Sequence, residues 1–167
     1  MKLENIDKSL FKKRLNRFQG GLVAGLLVLS LLLSQLFIAL WSDSDSNTLL
    51  NLAAVAVSAF LLAGVVNAIK DKPYMAEITY ARRLKSELNR IYRASRKLEK
   101  ALEDEREVAF VIRYFQLHGS RHLYQLEDNT LTLDDLNRQI AEFDERLAAL
   151  GLSPTVEDYA PELLQQL

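Results

Sequence analysis

The chain's two histidines, His118 and His122, lie four residues apart. On a helix that spacing puts both rings on one face, where they could fill two positions around a metal ion. Glu127 and Asp128 stand nearby in sequence, but the pattern lacks the glutamate of a zinc-protease motif, and Gly119, Ser120 and Arg121 point to no particular chemistry. Two ordinary histidines of a helical bundle are the simpler account. A metal-dependent enzyme built on them is the least supported functional reading.

Other chemistry is harder still to assemble. The chain has no cysteine, which excludes disulfides, thiolate nucleophiles and thiolate-held clusters. No glycine-rich phosphate loop follows a strand, since no segment reads convincingly as one, and no Ser-His-Asp order is recognisable. Asp134 and Asp135 stand where a helix begins, a placement that the helix dipole and capping explain. The expectation is a protein without catalytic, cofactor-binding or metal residues: not an enzyme, and with no cofactor.

The elements around these residues are dominated by two apolar runs. From Phe18 to Ser42 no residue is charged, and a second uncharged run extends from Leu49 to Ile69. Each is long enough as a helix to cross the ~30 Å hydrocarbon core, which needs ~20 residues. The basic residues before the first run would also suit a cleaved secretory signal, but the run is too long for a signal core. A polar segment precedes it, and a second run follows at once.

Orientation follows from lysine and arginine, which resist translocation beside a span. Lys2, Lys8, Lys12, Lys13, Arg14 and Arg17 precede the first span; Lys70, Lys72, Arg82, Arg83 and Lys85 follow the second; the link between them carries only Asp43 and Asp45. Both termini are therefore expected in the cytoplasm, with Trp41 as an aromatic anchor at the outer interface. The domain map is a basic juxtamembrane segment (1–17), transmembrane helices at 18–41 and 49–69 joined by an external link (42–48), and a cytoplasmic helical domain (70–167).

Within the spans, Gly21 with Gly25, Ala59 with Ala63, and Gly64 with Ala68 form small-residue pairs that allow close helix packing. Ser30, Ser34, Gln35, Asn51 and Asn67 are polar but uncharged. Ionisable groups, the usual mark of an ion or proton pathway, do not occur there.

Beyond the membrane, residues 74–103 contain neither proline nor glycine and read as one long proximal helix, roughly 45 Å in length at ~1.5 Å per residue. Ala81, Leu84, Leu88, Ile91, Leu98 and Leu102, with Ser95 filling one slot, make a heptad seam. Arg82, Arg90, Arg93, Lys97 and Lys100 lie opposite it. A second helical pattern runs from Asp104 to Leu126, weakened by Gly119. A third is expected from a capping-box-like start at Thr132 and Asp135 through Leu136, Ile140, Phe143 and Leu147 to a stop at Gly151. Three apolar seams need one another, so the fold class is all-α: a two-helix transmembrane hairpin followed by a cytoplasmic helical bundle.

Several strings carry a family resemblance: Met1-Lys2-Leu3-Glu4-Asn5-Ile6-Asp7-Lys8, Leu33-Ser34-Gln35-Leu36, Pro73-Tyr74-Met75-Ala76-Glu77, Leu88-Asn89-Arg90-Ile91-Tyr92-Arg93, and Asp128-Asn129-Thr130-Leu131-Thr132-Leu133-Asp134-Asp135-Leu136. Together they resemble the small bacterial inner-membrane proteins grouped as domain of unknown function 3087. The resemblance covers nearly the whole chain. It implies a bacterial inner-membrane address and brings no catalytic residues with it.

The leading functional expectation is a membrane-anchored helical interaction or scaffold protein. Its partners would be the bilayer, a second copy in a dimer, and an unidentified membrane or cytoplasmic protein; no nucleic acid is expected, since aromatic interleaving and a recognition motif are missing. The alternative is an oligomeric channel or transport accessory lined by the polar residues of the spans. Gly21, Gly25, Leu84, Leu88 and Ile91 are the candidate self-association residues. Lys12, Lys13, Arg14, Arg17, Arg82, Arg90 and Arg93 are the candidate contacts to anionic lipid or an acidic partner.

Overall fold

The computed structural model describes residues 2–41 and 47–167. The described residues are 83% helical and contain no strand, with two long apolar helices near the N-terminus followed by a helical bundle. Among the described residues six α-helices run in the order α1 (Lys8–Trp41), α2 (Thr48–Ile69), α3 (Ala76–Arg93), α4 (Ser95–Glu103), α5 (Glu107–Glu127) and α6 (Leu133–Leu150). Short 3₁₀ turns occupy Pro73–Met75, Val156–Asp158 and Pro161–Gln166. Most of the expected link, residues 42–46, lies outside the described residues.

The chain divides into two compact units, one of Ser9–Thr79 and one joining the residues up to Lys8 with Tyr80–Leu167. In the first, α1 and α2 are each long and apolar enough to cross a membrane. They pair antiparallel: Ser34 donates to Asn51 Oδ1, while Leu62, further along α2, packs beside Gly25, further back along α1. A Cβ on Gly25 would stand 3.4 Å from Leu62 Cδ2, so the glycine admits that side chain. On α2 the fully buried positions are Ala54 and Ser58, one turn apart, and the Ser58 hydroxyl returns to Ala54 O at 2.7 Å. Small residues with internally satisfied polar groups let helix backbones approach closely. Phe11 near the start of α1 and Met75 after α2 are also buried.

The second unit is centred on α5, which packs against α4, α6 and the C-terminal turns. Its core combines Leu84 and Ile91 of α3, Leu98 and Leu102 of α4, Ile112 and Phe115 of α5, and Ile140 and Leu147 of α6. Gly119, which weakened the helical pattern, sits within an uninterrupted α5 for a packing reason. A Cβ there would stand 3.3 Å from Leu88 Cδ2 and 3.5 Å from Leu84 Cδ1, so the missing side chain is what lets α3 lie close. Arg146 of α6 donates to Leu102 O at 2.7 Å where α4 ends, a carbonyl that also accepts the Glu105 N–H, and its guanidinium lies over the Phe110 ring.

Two local expectations need correction. The proximal helix is two helices, interrupted at Ala94, whose N–H is shared between Arg90 O and Ile91 O. The seam has no apolar side chain at Ser95 to hold a straight helix there, and the break lets Leu98, Ala101 and Leu102 all reach the core. The Thr132 side chain makes no cap bond to α6, its backbone at φ −108° and ψ 0° lying outside the extended conformation of an N-cap, and the Asp135 carboxylate bonds Arg138 and Gln139 rather than returning to Thr132. The capping box forms instead at Thr155 and Asp158. Gly151 does end α6, with φ of 66° and Leu152 N–H bonded back to Leu147 O, the left-handed cap that glycine adopts without strain.

Candidate functional site around His118 and His122

The close approach of α3 at Gly119 fixes the rotation of α5, and so the direction in which the neighbouring histidines leave it. His118 and His122 line a cleft of about 320 Å³ with Tyr114, Arg121, Glu157 and Leu3, the last contributed by the segment that precedes α1. His118 Nδ1 lies 3.1 Å from Arg121 Nη2. Arginine can only donate, so Nδ1 is the unprotonated nitrogen and the neutral ring carries its hydrogen on Nε2. The Tyr114 ring lies over His118 with centroids 4.1 Å apart.

His122 packs edge-on against Tyr80 at 6.0 Å. The Tyr80 hydroxyl accepts the Glu4 N–H at 2.9 Å, and the backbone of Glu4 also hydrogen-bonds His122. Glu4 is thus held against both Tyr80 and His122. The Nε2 atoms of His118 and His122 are buried and have no hydrogen-bond partner among the described residues.

Burial is the main force on both imidazoles. It lowers the pKa of His118, assisted by Arg121 and opposed by Asp144; it lowers that of His122, opposed by the Glu4 backbone. Burial raises the Tyr80 and Tyr114 phenols. At neutral pH the site therefore holds two neutral rings beside one arginine. Among the described residues no group of three or more histidine, aspartate or glutamate side chains is placed to hold a metal ion. What the arrangement can do is take up protons, at the cost of the Arg121 contact and of placing charge where no partner waits.

A second polar cluster lies elsewhere in the same unit. Glu87 of α3 is buried; it accepts the Tyr159 hydroxyl at 2.5 Å and the Arg90 guanidinium at 2.9 and 3.1 Å. Tyr159 is itself buried, stacked on Phe115 at 4.1 Å, and burial followed by the Glu87 carboxylate pushes its phenol well above the usual range. Sequence reasoning missed this cluster. The available signal was an acid at position 87, on the seam side of a mainly basic helix whose other acid, Glu77, stands in the first turn.

The expected contact residues divide. Arg14 faces inward, donating to Pro73 O at 3.1 Å, to Tyr74 O and to Glu77 Oε2 at 2.5 Å, with its guanidinium over the Tyr74 ring. With Arg90 on Glu87, two residues expected to meet lipid or a partner are engaged within the chain. Lys13, Arg17, Arg82 and Arg93 are exposed, and Lys12 is half-buried. Among the self-association candidates, Leu84 and Ile91 are wholly buried, because the chain's own helices cover the seam; they are closed to a second copy of the folded protein. Leu88 is half-buried against Gly119, Gly25 carries Leu62, and Gly21 is exposed with nothing within 4 Å of its Cβ position. Several polar residues of α1 and α2 bond within the chain: Ser30 to Leu27 O, Ser34 to Asn51, and Asn67 with Lys70.

Comparison with protein families matches residues 1–164 to the family described as Protein of unknown function (DUF3087), and the chain belongs to that family. No curated protein and no solved structure matches the chain.

Proposed function

We propose that this DUF3087 member is a membrane-anchored helical interaction protein of a bacterial inner membrane. The two apolar helices cross the bilayer as a hairpin, both termini lie in the cytoplasm, and the unit built on Tyr80–Leu167 forms the module that meets a protein partner. The observation that supports this reading is the apolar surface left uncovered on the hairpin. Leu31 is 66% exposed, Leu32 63%, Leu49 77% and Phe60 85%, with Val23, Leu27, Leu36, Leu52 and Val65 open as well. Large apolar side chains uncovered along two consecutive helices need a hydrocarbon solvent.

The bundle contributes a rigid platform with a filled core. No catalytic step is proposed for it. A channel would need the hydroxyls and amides of the spans turned toward water, whereas the Ser34–Asn51 bond joins α1 to α2, so the interaction reading is preferred. With Leu84 and Ile91 buried, pairing of two copies would rest on the open face at Gly21.

Photo-crosslinking from exposed positions of α6, carried out in native membranes, tests the reading. One discrete protein adduct retained after alkaline extraction of the membranes is expected. Release of the chain by alkali, or the lack of any adduct from every position, would overturn it. Mass measurement in mild detergent tests self-association, with a dimer expected for the chain and a monomer for Gly21→Leu.

A further inference from the structure

Residues 80–100 carry basic side chains at Arg82, Arg83, Lys85, Arg90, Arg93, Arg96, Lys97 and Lys100, against acids only at Glu87 and Glu99. Both acids are engaged, Glu87 with Arg90 and Tyr159, Glu99 with Arg113. Lys85 is paired with Glu127. Arg82, Arg83, Arg93, Arg96, Lys97 and Lys100 are exposed and form no ion pair or side-chain hydrogen bond with any described residue.

Their placement is ordered. At about 100° per residue, Arg82 and Arg93 lie opposite the buried Leu84–Ile91 side of α3, and Arg96 and Lys100 lie opposite the buried Leu98–Leu102 side of α4. Asn89 lies between the two arginines of α3, and Tyr92, 70% exposed, flanks them. The result is a mainly basic helix surface, with the exposed Glu103 at its far end on α4 and an open aromatic beside it, on a unit whose residues 101–167 carry fourteen acids against five bases.

We propose that this face of α3 and α4 docks on anionic lipid headgroups. The inference rests on the reading that α1 and α2 span the bilayer. Only residues 70–81 separate the end of α2 from Arg82, so the face is tethered near the lipid surface and needs little intrinsic affinity to stay there. Each lysine or arginine near an anionic surface favours binding roughly fivefold. A soluble acidic protein offers complementary charge too, but the tether holds the lipid surface permanently within reach. The acidic later helices oppose any other orientation, so docking sets which side of the bundle faces the cytoplasm.

The test uses the full chain, which has no native cysteine. Asn89→Cys on the basic face and Glu145→Cys on the exposed side of α6 are each labelled with a fluorophore. Each is reconstituted into vesicles containing lipid with a headgroup quencher, either with about a third anionic lipid or wholly zwitterionic. Recovery with the vesicles after alkaline extraction reports the spans independently of docking.

Strong quenching at position 89 but not at 145 is expected with anionic lipid. It should fall in zwitterionic vesicles and at 1 M salt, where the screening length shrinks to about 3 Å. The combined variant Arg82→Gln, Arg93→Gln, Arg96→Gln and Lys100→Gln removes no internal bond and should lower the docked fraction at least tenfold, with hydrogen exchange of the bundle unchanged. Chains retained through alkali whose position 89 is quenched equally in both lipids, or in neither, would overturn docking while leaving the spans intact. Chains lost to alkali would fail the spanning reading itself. Shielding of position 89 in native membranes but in no vesicle would assign the face to a protein and also overturn the proposal.

Discussion

Tyr159, near the C-terminal end, donates its hydroxyl hydrogen to Glu87 Oε1 of α3 at 2.5 Å, with both residues buried and Arg90 completing the cluster. One tail residue thereby supplies a further donor to a buried carboxylate that Arg90 also pairs. Tyr159→Phe keeps the stacking on Phe115 and removes the bond. It should lower the opening free energy of α3 by about 1.5–3 kcal/mol, the range for hydrogen bonds to charged groups. Hydrogen exchange of peptides from α3 in the full chain measures it. Unchanged protection would show that the hydroxyl contributes nothing to Glu87.

Gly119 should tolerate size in steps. Alanine adds about 1 kcal/mol of helix propensity and meets Leu88 and Leu84 at 3.3 and 3.5 Å, so the two effects nearly cancel. Leucine has no room, and Gly119→Leu should cost about 1–3 kcal/mol by forcing α3 away from α5. Exchange rates across α3 and α5 for the two variants separate these outcomes. Equal protection in both would mean that the helices do not approach at this residue.

The histidine pair should make the bundle acid-sensitive. Burial sets both folded-state pKa values below the ordinary value near 6.5. Above that value the rings are neutral in both folded and unfolded chains and their contribution is complete. As the pH falls through it, the unfolded chain takes up protons first, so stability declines from about pH 6.5 toward the folded-state values. The groups facing the rings are Tyr114, Arg121, Asp144, Glu157, Tyr80 and the Glu4 backbone. Protection of α5 followed from pH 7.5 to 5 should drop in the wild-type chain and stay nearly level in a variant carrying His118→Gln and His122→Gln. Parallel profiles would place the acid response elsewhere.

Much of this architecture was legible from local pattern. The two uncharged runs became α1 and α2, and the three–four spacing of Leu136, Ile140, Phe143 and Leu147 became the buried side of α6. Gly151 ended that helix as its position implied. What escaped depends on partners distant in sequence. Arg14 looked like a lipid contact because nothing local shows that Pro73, Tyr74 and Glu77 return to it. The buried role of Glu87 needs Tyr159, and the Leu84–Ile91 seam, which its spacing suited both to a second copy and to the chain's own bundle, is covered by later helices that local pattern does not place. Thr155 and Asp158 carried a readable capping pattern, whereas the comparable pair at Thr132 and Asp135 was diverted by Arg138 and Gln139.

The central claim, a hairpin that crosses the bilayer twice, is tested most directly by single-cysteine labelling with a membrane-impermeant maleimide in sealed bacterial spheroplasts. Asn47→Cys, between the spans, should label in intact spheroplasts, whereas Lys2→Cys and Gln165→Cys should label only after permeabilisation. Labelling of position 2 or 165 in sealed spheroplasts, or protection of position 47 there, would contradict the account.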